Sequence, residues 1–141
     1  MYPSLSISEP PLQRNGYLSR ATLLLLDEND DVRKLLRRVL ETSGYAVLEA
    51  PDADAALCLA REHEGAIDLF LLDPSLENAN AIDLTAKLRA LRPSVKALYL
   101  SGYPAEVLIE RNLWRPGQTL LHKPFLPQTL LQAVRGLLDQ R

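Results

Sequence analysis

The sequence predicts a single α/β domain: a doubly wound (βα)5 sandwich in which a five-stranded parallel sheet lies between two layers of helices. Three observations carry that expectation. Thr22 leads into four consecutive leucines, Leu23 to Leu26. The run is too short for a membrane span, which takes on the order of 20 apolar residues, and too uniform for a strand with one wet face. A strand buried on both faces fits it, and such strands belong to parallel sheets covered by helices. Short apolar runs then alternate with segments of helical spacing along the rest of the chain. Finally, 141 residues, 47% of them hydrophobic and 24% charged, suit one ordinary globular domain and leave no room for a second.

The elements follow in order. After the leucine strand, Val32, Leu35, Leu36, Val39 and Leu40 recur at the spacing of an amphipathic helix, and Gly44 ends it. "YAVLEA" reads as the second strand. "DADAALCLAREHEG" reads as a helix with a stripe of Ala53, Ala56, Leu57 and Ala60, an acid at its start (Asp52 or Asp54) and Gly65 as its stop. "AIDLFLLD" is the third strand and "AIDLTAKLRALRP" a helix closed by Pro93. "VKALYLSG" is the fourth strand, "PAEVLIERNL" a short helix, "TLLHK" the fifth strand and "LPQTLLQAVRGLLDQR" the last helix. Such alternation brings right-handed crossovers and helices on both faces.

Composition narrows the function. A net charge of −2 with scattered Lys and Arg gives no basic footprint for nucleic acid. Residues 1–20 contain neither a long apolar core nor a basic start, so they read as a flexible tail or linker before a domain spanning 21–141, with no signal peptide and no membrane anchor. The lone cysteine, Cys58, excludes an internal disulfide and reads as a small, inert core residue, with the cytoplasm as the expected compartment. His63 and His122 lack partners at metal-ligand spacing, and Trp114 reads as a packing anchor.

In open α/β sheets, ligands gather outside the carboxyl ends of the strands. Asp27 and Glu28 follow the first strand, Asp73 the third, Ser101 the fourth and Lys123 the fifth. Carboxylates held together repel and need a cation, and hard oxygen ligands suit Mg²⁺. A carboxylate can accept a phosphoryl group when a metal and a lysine neutralise the transferring charge and a hydroxyl donates to it. Asp30 and Asp31 belong more simply to the start of the first helix, where acids favour its dipole.

With "LLLLDENDDVRKLL", "IDLFLLD", "ALYLSGY" and "LLHKPF" in this order, the chain resembles the receiver domains of two-component response regulators over about residues 21 to 140. The resemblance implies a flavodoxin-like fold with strand order 2-1-3-4-5, and a signalling module rather than an enzyme. It implies that Asp73 takes a phosphoryl group from a sensor histidine kinase, and that Mg²⁺ is bound by Glu28, by Asp27 directly or through water, by Asp73 and by the Ser75 main-chain carbonyl. Ser101 and Lys123 would contact the phosphoryl group, and Pro124 would follow a cis peptide bond. An unidentified output protein would read the changed surface near strands four and five. The stretch ending "HKPFLPQTLLQAVRGLLDQR" is also similar to receivers attached to hybrid sensor kinases, so a stand-alone regulator and a domain of a longer kinase both remain open.

The sequence departs from the family pattern in four places. Glu28 stands where an aspartate is usual. Pro74 removes a backbone N–H after the acceptor, Ala81 replaces a loop glycine, and Leu120 replaces an aromatic that usually reports phosphorylation, leaving Tyr103 as the candidate switch residue. These departures keep an alternative alive: a degenerate receiver acting as a phosphorylation-independent interaction module. Two other classes fit poorly. A flavin or nucleotide carrier needs glycines after the first strand, where this chain is anionic, and an aspartyl phosphatase needs a second acid two residues after Asp73, where Ser75 stands.

Overall fold

The computed structural model describes residues 20–140, and the tail expected at 1–20 lies, apart from Arg20, outside them. The leucine run forms β1 (Thr22–Leu26), followed by α1 (Asp30–Thr42), β2 (Ala46–Ala50), α2 (Ala53–Glu62), β3 (Leu69–Leu72) and α3 (Ala81–Leu91). The second half adds β4 (Lys96–Ser101), α4 (Ala105–Glu110), β5 (Thr119–His122) and α5 (Pro127–Asp139). All five strands are parallel, in the order β2-β1-β3-β4-β5. The expected fold and strand order are therefore the observed ones.

Alternation along the strands divides the core in two. Leu24, Leu26, Phe70, Leu72 and Tyr99 face one way, against Ala56 and Ala60 of α2 and Leu84 and Leu88 of α3. Leu23, Leu25, Leu69, Leu71, Leu98 and Leu100 face the other, against Leu36 and Leu40 of α1 and Leu130, Val134 and Leu137 of α5. With both faces covered, leucine is favourable at every position of β1 and β3, which explains the unbroken runs. Leu71, fully buried on the central strand, is a sensitive probe of this packing. Leu71→Ala is expected to destabilise the domain by about 2–5 kcal/mol, read as a lowered urea midpoint at unchanged slope.

Polar side chains set the helix starts. Asn29, Asp52 and Asn80 accept hydrogen bonds from the backbone N–H groups of Val32, Ala55 and Asp83, capping α1, α2 and α3. Gly44 ends α1 with φ +95°, a conformation in which a side chain would be strained. The third strand is shorter than "AIDLFLLD", beginning at Leu69. Asp68, just before it, is tied to the start of β1 twice: its carboxylate accepts the Thr22 N–H at 2.7 Å and its own N–H donates to the Thr22 carbonyl at 2.8 Å.

Two expectations about burial are corrected. Leu35, assigned to the buried stripe of α1, is 63% exposed, while Arg33 is buried. The α1 face on the sheet is centred on Leu36 and Leu40, and Leu35 is turned well away from it. Cys58 is exposed rather than part of the core. On α2 the sheet-facing positions are Ala56 and Ala60, and a residue midway between them projects from the opposite side.

Candidate functional site

Ends of β1, β3, β4 and β5 lie together because the strands are parallel and in register, with Leu26 beside Leu72 and Ser101 beside His122. The Lys123 ammonium stands between two acids, donating to Asp73 Oδ2 at 2.9 Å and to Asp27 Oδ2 at 3.1 Å. Asp27 is 4% exposed, so its charge is compensated chiefly by this contact. Burial alone would lower the Lys123 pKa. The hydrogen bond and charge of Asp73, and then those of Asp27, outweigh it and hold the ammonium above the usual lysine range.

Backbone donors complete the two acids. Asp27 Oδ1 accepts the Asn29 N–H at 2.9 Å, and Asp73 Oδ1 accepts the Ser75 N–H at 2.8 Å. The second contact answers the question raised by Pro74: the donor missing at residue 74 is supplied one residue later. Pro74 itself is buried, which anchors the start of this loop. Lys123 is fixed through its own backbone, whose N–H donates to the Ser101 carbonyl at 2.8 Å immediately before the cis Lys123–Pro124 bond.

Glu28 and Ser101 are placed differently. The Glu28 carboxylate reaches across to the β3–α3 loop and accepts the Glu77 N–H at 3.1 Å. Ser101 is fully buried, and its Oγ accepts the Tyr103 N–H at 3.0 Å. Tyr103 itself is exposed, with the Arg111 guanidinium 5.4 Å from its ring centre. Leu120 packs with Trp114 against the α2/α3 side of the core, and the Trp114 Nε1 is buried without a partner among the described residues.

All the acidic donors near Asp73 are hard oxygens of the type Mg²⁺ takes, and Asp27 and Asp73 meet at one cation. Among the described residues no group of three or more His, Cys, Asp or Glu side chains is arranged so that it could hold a metal ion by itself.

Sequence reasoning missed Arg33. Its side chain donates from Nη1 to the Asp27 carbonyl at 2.8 Å, from Nη2 to Asp30 at 2.7 Å and from Nε to Glu49 at 3.0 Å. Glu49 also pairs with Arg37. Burial would raise the Glu49 pKa, but hydrogen bonds from Arg37 and Arg33 hold it below the usual carboxylate range. The signal available in the sequence was Glu49 itself, a lone acid in an otherwise apolar strand.

A profile of the response regulator receiver domain family matches residues 23–135. The chain belongs to that family. The receiver domain is 33% identical over 122 residues to the sensor kinase CckA of Brucella abortus, covering 86% of this chain and 13% of that protein. It is 30% identical over 116 residues to the transcriptional regulatory protein CpxR of Escherichia coli, covering 82% of this chain and 48% of CpxR. The receiver thus spans about half, or much less, of these relatives. The crystal structure of the receiver domain from the hybrid histidine kinase CckA superposes with a TM-score of 0.71 at 31% identity, covering 84% of this chain and all of that one. A receiver protein from Sinorhizobium medicae shares the fold at a TM-score of 0.74 and 24% identity, covering 86% of this chain and 97% of its own. The expected membership in two-component signalling is therefore met. Among the described residues, no helix is long and apolar enough to cross a membrane.

Proposed function

We propose that this receiver domain is a phosphoacceptor in a two-component phosphorelay, with Asp73 as the acceptor, a sensor histidine kinase as the donor and Mg²⁺ as the cofactor. The observation that carries the proposal is the Lys123 ammonium held between Asp27 and Asp73. Structural packing gives little reason to hold a partly buried lysine against two acids at a sheet edge, whereas phosphoryl transfer needs a fixed cation beside the nucleophile.

In the transfer, an Asp73 oxygen forms a bond to phosphorus while the bond from phosphorus to the donor imidazole nitrogen breaks. The electron pair stays on that nitrogen, which takes a proton. Lys123 balances charge growing on the phosphoryl oxygens, and the Ser101 hydroxyl, at the end of the strand β4 that neighbours β3, would donate to one of them. Mg²⁺ would be held by Asp27, Asp73, the Ser75 main-chain carbonyl and Glu28 once it leaves Glu77, and would supply further positive charge at the phosphoryl oxygens.

The output follows from Ser101. A charge-assisted hydrogen bond donated by the Ser101 hydroxyl to the phosphoryl group, worth roughly 1.5–3 kcal/mol, would draw Oγ toward Asp73 and with it the Tyr103 N–H from which Oγ accepts. That is enough to bias a shallow two-state equilibrium and shift Tyr103, α4 and β5, where an output protein would bind. Leu120 cannot serve as the reporter, since it is already packed against the core.

Incubation with Mg²⁺ and acetyl phosphate followed by intact mass tests the proposal. A gain of one phosphate, abolished by chelator, is expected, with amide exchange altered over residues 101–122 on adding a phosphate mimic. No gain under any Mg²⁺ concentration would identify a degenerate receiver that acts by interaction alone.

A further inference from the structure

Arg33 is 8% exposed, and its three donors reach three separate parts of the chain. One part is the main chain between Asp27 and Glu28, reached through the Asp27 carbonyl. Another is Asp30, in the first turn of α1. The remaining one is Glu49, on the neighbouring strand β2. The Asp27 backbone is held from its other side too, because its N–H donates to the Ala50 carbonyl at 3.3 Å. Both polar groups of the Asp27 peptide backbone are therefore tied to the β2 edge, one directly and one through Arg33.

This matters because Asp27 stands where a strand becomes a loop. Nothing in regular structure fixes the peptide that follows it, yet the direction of that peptide decides where the Asp27 and Glu28 carboxylates go. With the carbonyl turned back onto Arg33, the Asp27 carboxylate faces Lys123 and Asp73, and Glu28 leaves toward the β3–α3 loop. A planar guanidinium can hold three acceptors in one plane, and a lysine cannot. Arg37 keeps Glu49 in place independently of Arg33, since it pairs with both Glu49 and Glu41.

We propose that Arg33 is a positioning residue for the cation site: by holding the Asp27 carbonyl against α1 and β2, it shapes the acidic loop for Mg²⁺ without touching the metal or the phosphoryl group. The inference rests on the phosphoacceptor reading for the identity of the cation, but its structural part stands on the Arg33 contacts alone.

Charge and position make opposite forecasts, which gives a test by sign. Arg33 carries a positive charge close to the site, so neutralising it should tighten Mg²⁺ binding if electrostatics alone mattered. If Arg33 positions the loop, neutralising it should weaken binding. Arg33→Met preserves the aliphatic stem, leaves Glu49 paired with Arg37 and leaves Asp30 in water, so the fold should survive. Calorimetric titration with MgCl₂ is expected to show a rise of about tenfold in Kd, the lower end of what outer partners of a metal site command. Arg33→Lys, which keeps the charge and loses the fork, should shift Kd in the same direction.

Amide exchange of residues 27–30 in metal-free protein supplies a second readout, independent of any activity. Protection there should fall in both variants while β3 and β4 remain protected. Tighter or unchanged Mg²⁺ binding, or an undisturbed loop, overturns the positioning role. Should Arg33→Met fail to fold, the lysine variant and its loop exchange decide the matter. If the unaltered protein itself binds no Mg²⁺, the phosphoacceptor reading falls, and the exchange data alone still decide whether Arg33 shapes the loop.

Discussion

Asp73→Asn is expected to lose all phosphate uptake from acetyl phosphate, with no mass gain at Mg²⁺ concentrations that saturate the unaltered protein. The argument is chemical. The substitution keeps the shape of the side chain, so its oxygen can still accept from Lys123 or from the Ser75 N–H. It removes the anionic oxygen that must attack phosphorus, and an amide oxygen is a poor nucleophile. Far-ultraviolet circular dichroism should be unchanged, because Asp73 stands past the end of β3 and contributes nothing to either half of the core. A remaining gain of one phosphate would move the acceptor elsewhere, and peptide mapping should then be directed at Ser75, two residues along the chain, and Ser101, at the end of the neighbouring strand. The experiment thus tests the residue as well as the reaction.

What the sequence made legible was whatever depends on local pattern. Leu23 to Leu26 and Leu69 to Leu72 are uniform because both faces of the sheet are covered, and uniform runs are easily read. Asp27, Asp73 and Lys123 were legible as a group because each follows a strand, and parallel strands bring their ends to one edge. Burial of Arg33 was not legible, since its reason is Glu49 on another strand and a carbonyl whose direction depends on the finished loop. The exposed Leu35 and Cys58 were misplaced for a related reason. Helical spacing gives the existence of an apolar face, whereas its exact centre depends on how the helix sits on the sheet. The Ser75 N–H compensates for Pro74 through loop geometry that no residue spacing encodes.

Lys123→Met should produce the largest loss of stability among the site variants. Asp27 and Asp73 both lie within hydrogen-bond reach of one nitrogen, so their oxygens are close to each other. Removing the ammonium leaves two neighbouring carboxylates, one almost fully buried, with only backbone N–H donors. Removing one partner of a buried pair costs about 3–5 kcal/mol, and the partial exposure of Lys123 and Asp73 sets the expected loss near the lower end. Chemical denaturation with chelator present measures it. Two compensations follow from the same cause. Asp27→Asn added to Lys123→Met should recover much of the loss by removing the repulsion, and Mg²⁺ should stabilise the single variant more than the unaltered protein, because a cation binding the folded state replaces the missing charge. The pH dependence has a definite sign. The Lys123 pKa is raised on folding, so its contribution is complete below the ordinary lysine value of about 10.4 and disappears as pH rises through the higher folded value. The stability difference between unaltered protein and variant should therefore stay level from neutral pH to about 10 and close above it. A difference that vanished at neutral pH would mean that the ammonium does not compensate the acids, and with it would go the arrangement on which phosphoryl transfer to Asp73 depends.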